Sequence, residues 1–96
     1  MPTHDEDARF RIDYARLTQG QRREFALAVR KFVEDLRNGR FRAGLRVKRV
    51  QIRPGVWEMT WADDGRATFE YGDLIRNGDP HIIWRRVGTH DIFRDP

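Results

Sequence analysis

Thr18-Gln-Gly-Gln21 has the S/T-x-x-E/Q spacing of a capping box, in which a hydroxyl and a side-chain amide satisfy the first free N–H groups of a helix. Behind it Phe25, Ala28, Val29, Phe32, Val33 and Leu36 recur at intervals of three and four, a continuous apolar stripe. Asn38-Gly39 closes the segment, glycine being suited to the left-handed position after a helix. One long helix with a single apolar face therefore lies near residues 19–38. It must bury that face against something the rest of the chain supplies.

The flanking segments read with a period of two, the signature of strands with one buried face. Phe10, Ile12 and Tyr14 alternate with Arg11 and Asp13, which predicts a strand over Arg9–Ala15. Arg40–Gly44 reads as a connector, with room for a short helical turn. Leu45 and Val47 share one parity and Val50 and Ile52 the other, so a bulge is expected near Lys48-Arg49. Pro54-Gly55 is a turn. Trp57, Met59 and Trp61 form a strand, and Asp63-Asp64-Gly65 a tight hairpin in which Asp-Gly is expected to supply positive φ. Ala67, Phe69 and Tyr71 lie on the returning strand. Gly72–Pro80 reads as a loop, His81–Val87 as the last strand, and Gly88–Phe93 as its continuation or end. The order β-α-β-β-β-β implies an α+β fold, a helical layer on a small antiparallel-rich sheet. Phe25, Val29, Phe32, Val33 and Leu36 are expected to pack against Met59, Phe69 and Ile83. Residues 1–8 read as a flexible acidic tail, and 9–96 as a single domain.

Composition removes several chemistries. The 96 residues contain no cysteine, so thiol nucleophiles, disulfides and cysteine-held metals are excluded; they contain no serine either, so a serine triad is excluded. His81 and His90 do not stand at metal-ligand spacing, no glycine-rich loop opens a helix, and no metal or small-molecule cofactor is expected. The longest apolar run, Phe25–Val29, is far too short for a membrane span, and the polar start lacks a leader, so a cytoplasmic protein is expected.

Charge points to a partner. Asp5, Glu6 and Asp7 make the start acidic, while the remainder carries nineteen basic and twelve acidic residues. Seventeen of the basic residues are arginine. Arg37, Arg40, Arg42, Arg46, Lys48, Arg49 and Arg53 fall in one acid-free stretch. Planar guanidinium forks suit phosphate, so nucleic acid is the natural partner, with an acidic protein surface as the other.

Metal-free RNA cleavage needs proton transfer and a cation over the phosphorane. His90 is of the residue type suited to proton exchange at neutral pH, Arg66 opens the strand after the hairpin, and Phe93 offers a ring for an unstacked base. Each has a plainer role too: Arg66 as a partner of Asp64 or Glu58, His90 as a backbone hydrogen-bonder, Asp91 as a turn former.

The Trp57-Glu-Met-Thr-Trp61 and Gly65-Arg-Ala-Thr-Phe69 hairpin, followed by Trp84-Arg-Arg-Val-Gly-Thr-His-Asp-Ile-Phe93, resembles the RelE/ParE superfamily of bacterial toxins over residues 9–94. Gly88-Thr89-His90…Phe93 is similar to the ending of YafQ-type mRNA interferases, and Trp57-Glu58 to HigB-type toxins. The resemblance implies a toxin neutralised by a cognate antitoxin, with the ribosome and mRNA as targets. It implies Arg66 and His90 as catalytic residues, Phe93 as the aromatic beside them, and Arg46 and Lys48 as part of the RNA-facing strand; Arg49 in the basic stretch and Asp91 next to His90 are expected, with these, to contact substrate. Phe93 stands where many members end in Tyr; a phenyl ring transfers no proton, which puts that task on His90. The alternatives are a ParE-like DNA gyrase inhibitor and a non-catalytic domain binding RNA or protein through its basic patch.

Overall fold

Helix α2 runs Gln19–Asn38, and both bonds of the capping box are made: the Thr18 hydroxyl accepts from the Gln21 N–H at 3.1 Å, and the Gln21 side-chain oxygen from the Thr18 N–H at 2.8 Å. Gly39 ends it with φ of 75°, as the sequence predicts. The computed structural model describes residues 3–73 and 80–96. The apolar stripe of α2 enters the core at Phe25, Ala28, Phe32 and Leu36, with Val29 and Val33 packed at its margin. Phe32 is wholly buried, its ring 4.9 Å from Phe69, 5.3 Å from Trp84 and 5.2 Å from Phe41 between centroids.

Opposite α2 stand β3 (Val56–Thr60), β4 (Gly65–Tyr71) and β5 (His81–Thr89), paired antiparallel. β2 is only Lys48–Arg49, antiparallel to β3. β1 (Thr3–Glu6) pairs with β5 in parallel, giving the sheet order β1-β5-β4-β3-β2. The fold is therefore α+β with helices on a mostly antiparallel sheet, as expected, but four local expectations are corrected.

The first correction is at the start of the chain. Thr3–Glu6 is an edge strand in register with His81–Trp84, held also by His81, whose ring nitrogen lies 3.0 Å from the Asp5 carboxylate. It is not a frayed tail. The second is α1, Ala8–Arg16, which replaces the strand expected at Arg9–Ala15. Asp7 caps it. Phe10 faces Trp84 and Phe25 at 5.9 and 6.0 Å, while Ile12 stands out in solvent. Phe10 and Tyr14, four apart, are neighbours on a helix as well as same-face residues on a strand, so the alternation was ambiguous.

The third concerns irregularity in the sheet. No bulge marks Lys48-Arg49; β2 simply stops, and a turn follows in which the Val50 N–H donates to the Val56 carbonyl while Ile52 is exposed. The register shift lies at Thr68/Phe69, where Thr68 pairs with Arg86 but Phe69 with Trp84. It changes the parity of β5, so Ile82, Trp84 and Val87 all reach the core and Ile83 is only half-buried. The fourth is the backbone of Gly65 in the β3–β4 hairpin. Of the loop expected at Gly72–Pro80, residues 74–79 lie outside the described residues.

Two polar features finish the frame. β1 accompanies β5 only as far as Trp84, whose carbonyl accepts from the Asp7 N–H. Beyond it Asp13, from α1, takes over: its carboxylate accepts from the Val87 N–H at 3.2 Å and from Arg86 Nε and Nη2 at 2.6 and 3.2 Å. The face of the sheet away from the helices carries a row across four strands, Lys48, Glu58, Thr68 and Arg86. A single-turn 3₁₀ segment, His90–Arg94, follows β5.

Candidate functional site

The β3–β4 hairpin closes through Trp61 N–H to Gly65 C=O and Gly65 N–H to Ala62 C=O, both 3.1 Å. Gly65 does not take positive φ, contrary to expectation. It is required for space: a Cβ there would lie 2.5 Å from the Trp61 ring. The indole N–H of Trp61 in turn donates to the Arg66 carbonyl at 2.9 Å. Arg66 bends over the tip, one guanidinium nitrogen donating to the carbonyls of Gly65, Ala62 and Asp63 at 2.9, 3.2 and 3.2 Å. Its partners are backbone carbonyls, not the Asp64 or Glu58 carboxylates. The fork is thereby oriented without its charge being neutralised.

Beside the tip a cleft of about 620 Å³ opens between α2, the short 3₁₀ turn Ala43–Leu45 and β3, lined among others by Lys31, Arg42, Arg46, Thr60 and Arg66. Arg46 stands at φ 48°, ψ 44°, a left-handed conformation that side chains rarely adopt. Arg42 is structural. Its backbone N–H, Nε and Nη2 all bond the Asp35 carboxylate at 2.7–2.9 Å, and these bonds hold the Asp35 carboxyl at about 2, well below its ordinary value.

Strand register sets Arg66 opposite Gly88 and Gly65 opposite Thr89, at the end of β5 where the His90–Arg94 turn begins. The His90 N–H donates to Asp64 Oδ1 at 3.4 Å, linking that turn to the hairpin tip. The exposed His90 ring meets Phe93 edge-on, centroids 5.2 Å apart. Asp91 is exposed on the same turn. Of the residues singled out in the sequence, Arg46 and Arg66 share the cleft, and His90, Asp91 and Phe93 share the turn next to it. Lys48 and Arg49 stand apart on the outer strand, Lys48 3.9 Å from Glu58 and the Arg49 guanidinium 5.2 Å from the Trp57 ring centre.

Sequence reasoning missed the network where α1 meets the edge of β5. Asp13, Arg86, Asp95, Arg9 and Arg53 are linked there by hydrogen bonds and ion pairs, and Arg85 beside them pairs with Glu70 and donates to the Pro96 carbonyl. The Arg85-Arg86 doublet inside an apolar strand was its one visible sign.

Two helices laid on a β1-β5-β4-β3-β2 sheet, with a short turn after β5, form a fold shared with chains of solved toxin–antitoxin complexes. The chain superposes on a chain of the RelB-RelE antitoxin-toxin complex from Methanococcus jannaschii with a TM-score of 0.62, at 15% identity, covering 95% of each chain. It superposes on the E. coli DinJ-YafQ complex with a TM-score of 0.63, at 14% identity, over 95% of this chain and 96% of that one. A second structure of the DinJ-YafQ toxin-antitoxin complex gives 0.61 at 14% identity, over 92% and 91%. No protein-family model and no curated protein matches the sequence. No described helix is long and apolar enough to cross a membrane.

Proposed function

We propose that the chain is the toxin of a toxin–antitoxin pair and a metal-independent endoribonuclease that cuts mRNA on the ribosome. The observation that carries the reading is the strand register, which pairs Arg66 with Gly88 at the end of β5, together with the hairpin tip over which the Arg66 guanidinium bends and to which the His90 N–H is bonded through Asp64. The 2′-hydroxyl attacks the adjacent phosphorus as its proton is removed. The P–O5′ bond breaks and the 5′-oxygen takes up a proton, leaving a 2′,3′-cyclic phosphate and a 5′-hydroxyl. His90 exchanges the proton and Arg66 stabilises the phosphorane. Arg46, Lys48 and Arg49 hold phosphates, Phe93 stacks on a base, and Asp91 contacts the same nucleotide. The antitoxin neutralises the toxin by occupying these cationic surfaces.

Expression without antitoxin, followed by primer extension on translated mRNA, tests it. Wild type should cut within codons. His90→Ala should lose about 10²–10⁴-fold in cleavage rate, and Arg66→Ala about 10²–10³-fold. Arrested growth with intact mRNA, undiminished in His90→Ala, would overturn the nuclease reading and put gyrase inhibition first.

A further inference from the structure

Four guanidinium groups from three parts of the fold converge on two consecutive residues, Asp95 and Pro96. Arg9 of α1 pairs with Asp95 Oδ2, and Arg53 of the β2–β3 turn with Oδ1 at 2.7 Å. Arg86 Nη1 donates to the Asp95 carbonyl at 2.9 Å, and Arg85 Nη2 to the Pro96 carbonyl at 3.3 Å. Pro96 is fully buried. The arginines bring with them only two further carboxylates, Asp13 on Arg86 and Glu70 on Arg85. Four guanidinium groups against Asp13 and Glu70 leave a surplus of two positive charges, of which Asp95 offsets one.

The cluster also has unused capacity. Arg9 and Arg53 are about half exposed, and each donates a single side-chain bond, although a guanidinium fork can give two in parallel to one anion. Arg85 Nε is buried without a partner, and so is the hydroxyl of Thr68, which pairs with Arg86 across the sheet. Buried donors without acceptors are uncommon and costly. A phosphodiester offers two non-bridging oxygens that each accept more than one hydrogen bond and stand clear of the backbone, so it could take parallel bonds from the Arg9 and Arg53 forks, which now give one each.

From this we propose that the Arg9–Arg53–Arg85–Arg86 cradle is a binding site for an RNA phosphodiester, which Asp95 and Pro96 occupy in the free protein. The inference rests on the RNA reading above. RNA is favoured over an acidic peptide because Asp95 directly follows the His90–Arg94 turn, so a strand lying on the cradle runs on to His90 and Phe93. RNA would displace the Asp95 carboxylate and use the forks that it leaves partly idle.

The probe is a short 2′-O-methyl oligonucleotide of mixed sequence, which lacks the attacking hydroxyl and so reports binding alone. Its affinity is measured by fluorescence anisotropy over a salt series. Asp95→Asn should bind about three- to tenfold more tightly than wild type, because the cradle is no longer closed by a competing charge. The dependence of log K on log salt should steepen by about 0.7 for each phosphate gained. Arg53→Ala, a change in an exposed turn, should abolish that gain in the Asp95→Asn protein and weaken binding in the wild-type protein. The second comparison decides the matter if Asp95→Asn melts too low to assay.

Unchanged affinity and salt slope in Asp95→Asn with its melting intact, or in Arg53→Ala, would overturn the proposal. So would a glutamate-rich peptide binding the Asp95→Asn protein better than wild type while RNA does not. Cleavage is read separately by primer extension. Discrete cuts with an inert cradle would remove this site alone, and a responsive cradle without cuts would remove the nuclease reading alone.

Discussion

Removing the Asp13 carboxylate tests how α1 is tied to the sheet. Its oxygens accept one backbone bond from Val87 and two charge-assisted bonds from Arg86, a side chain only 16% exposed. In Asp13→Ala the Val87 N–H loses its acceptor, at about 1–3 kcal/mol for an unsatisfied buried donor. Breaking a buried ion pair costs about 3–5 kcal/mol when the remaining charge is stranded. Arg86 keeps the Asp95 carbonyl and some solvent, so its share here is about 1–2 kcal/mol. The total is about 2–5 kcal/mol, a melting temperature lower by about 10–25 °C for a domain of this size. Urea unfolding of Asp13→Ala, Arg86→Ala and the double variant provides the assay, and the double variant should be more stable than additivity predicts by about 1 kcal/mol or more. Asp13→Asn retains an acceptor for Val87 and should fall between wild type and Asp13→Ala. A loss below about 0.5 kcal/mol, typical of unremarkable surface positions, would refute the reasoning.

Two further perturbations follow from the same geometry. Gly65→Ala drives a methyl into the Trp61 ring and should destabilise by about 1–3 kcal/mol, whereas Gly44→Ala, with open space around it, should be nearly neutral; comparing the two melting temperatures checks this. Asp35 titrates near 2 in the folded chain against an ordinary 3.8. Its contribution to stability should therefore be complete above about pH 5 and fade as the pH falls from about 4 towards 2. Asp35→Asn should remove that part of the acid limb in a plot of urea midpoint against pH, leaving a flatter curve.

The elements legible in the sequence were those whose signal is local. The α2 boundaries follow from hydrogen bonds spanning three residues at Thr18 and from the backbone freedom of Gly39, and the hairpin from Asp63-Asp64-Gly65. α1 was misread because its core-facing positions are Phe10, Asp13 and Leu17. A buried carboxylate in that stripe hides the helical period, and the reason for its burial lies seventy-four residues away at Val87. The β5 parity change is equally non-local, since a register shift belongs to a pair of strands and not to either sequence. At the candidate site, Arg66 and His90 were readable as residue types. Their common position at one end of the sheet depends on the β4–β5 register, and the cradle around Asp95 draws on α1, a turn and β5 together.

The parallel pairing of β1 with β5 also bears on the order in which the molecule can assemble. Thr3 meets His81, so the outermost contact of the sheet closes a loop of nearly the whole chain, and its closure entropy is paid only after the residues near 84 exist to receive it. The capped helix and the β3–β4 hairpin need no such wait. On the ribosome, a growing chain can therefore carry a formed α2 and hairpin while Phe10 and Phe25 still lack Trp84, the residue both will pack against. Completion of the hydrophobic core is tied to synthesis of the final strand, and such long-range contacts place the domain among the slower folders of its size.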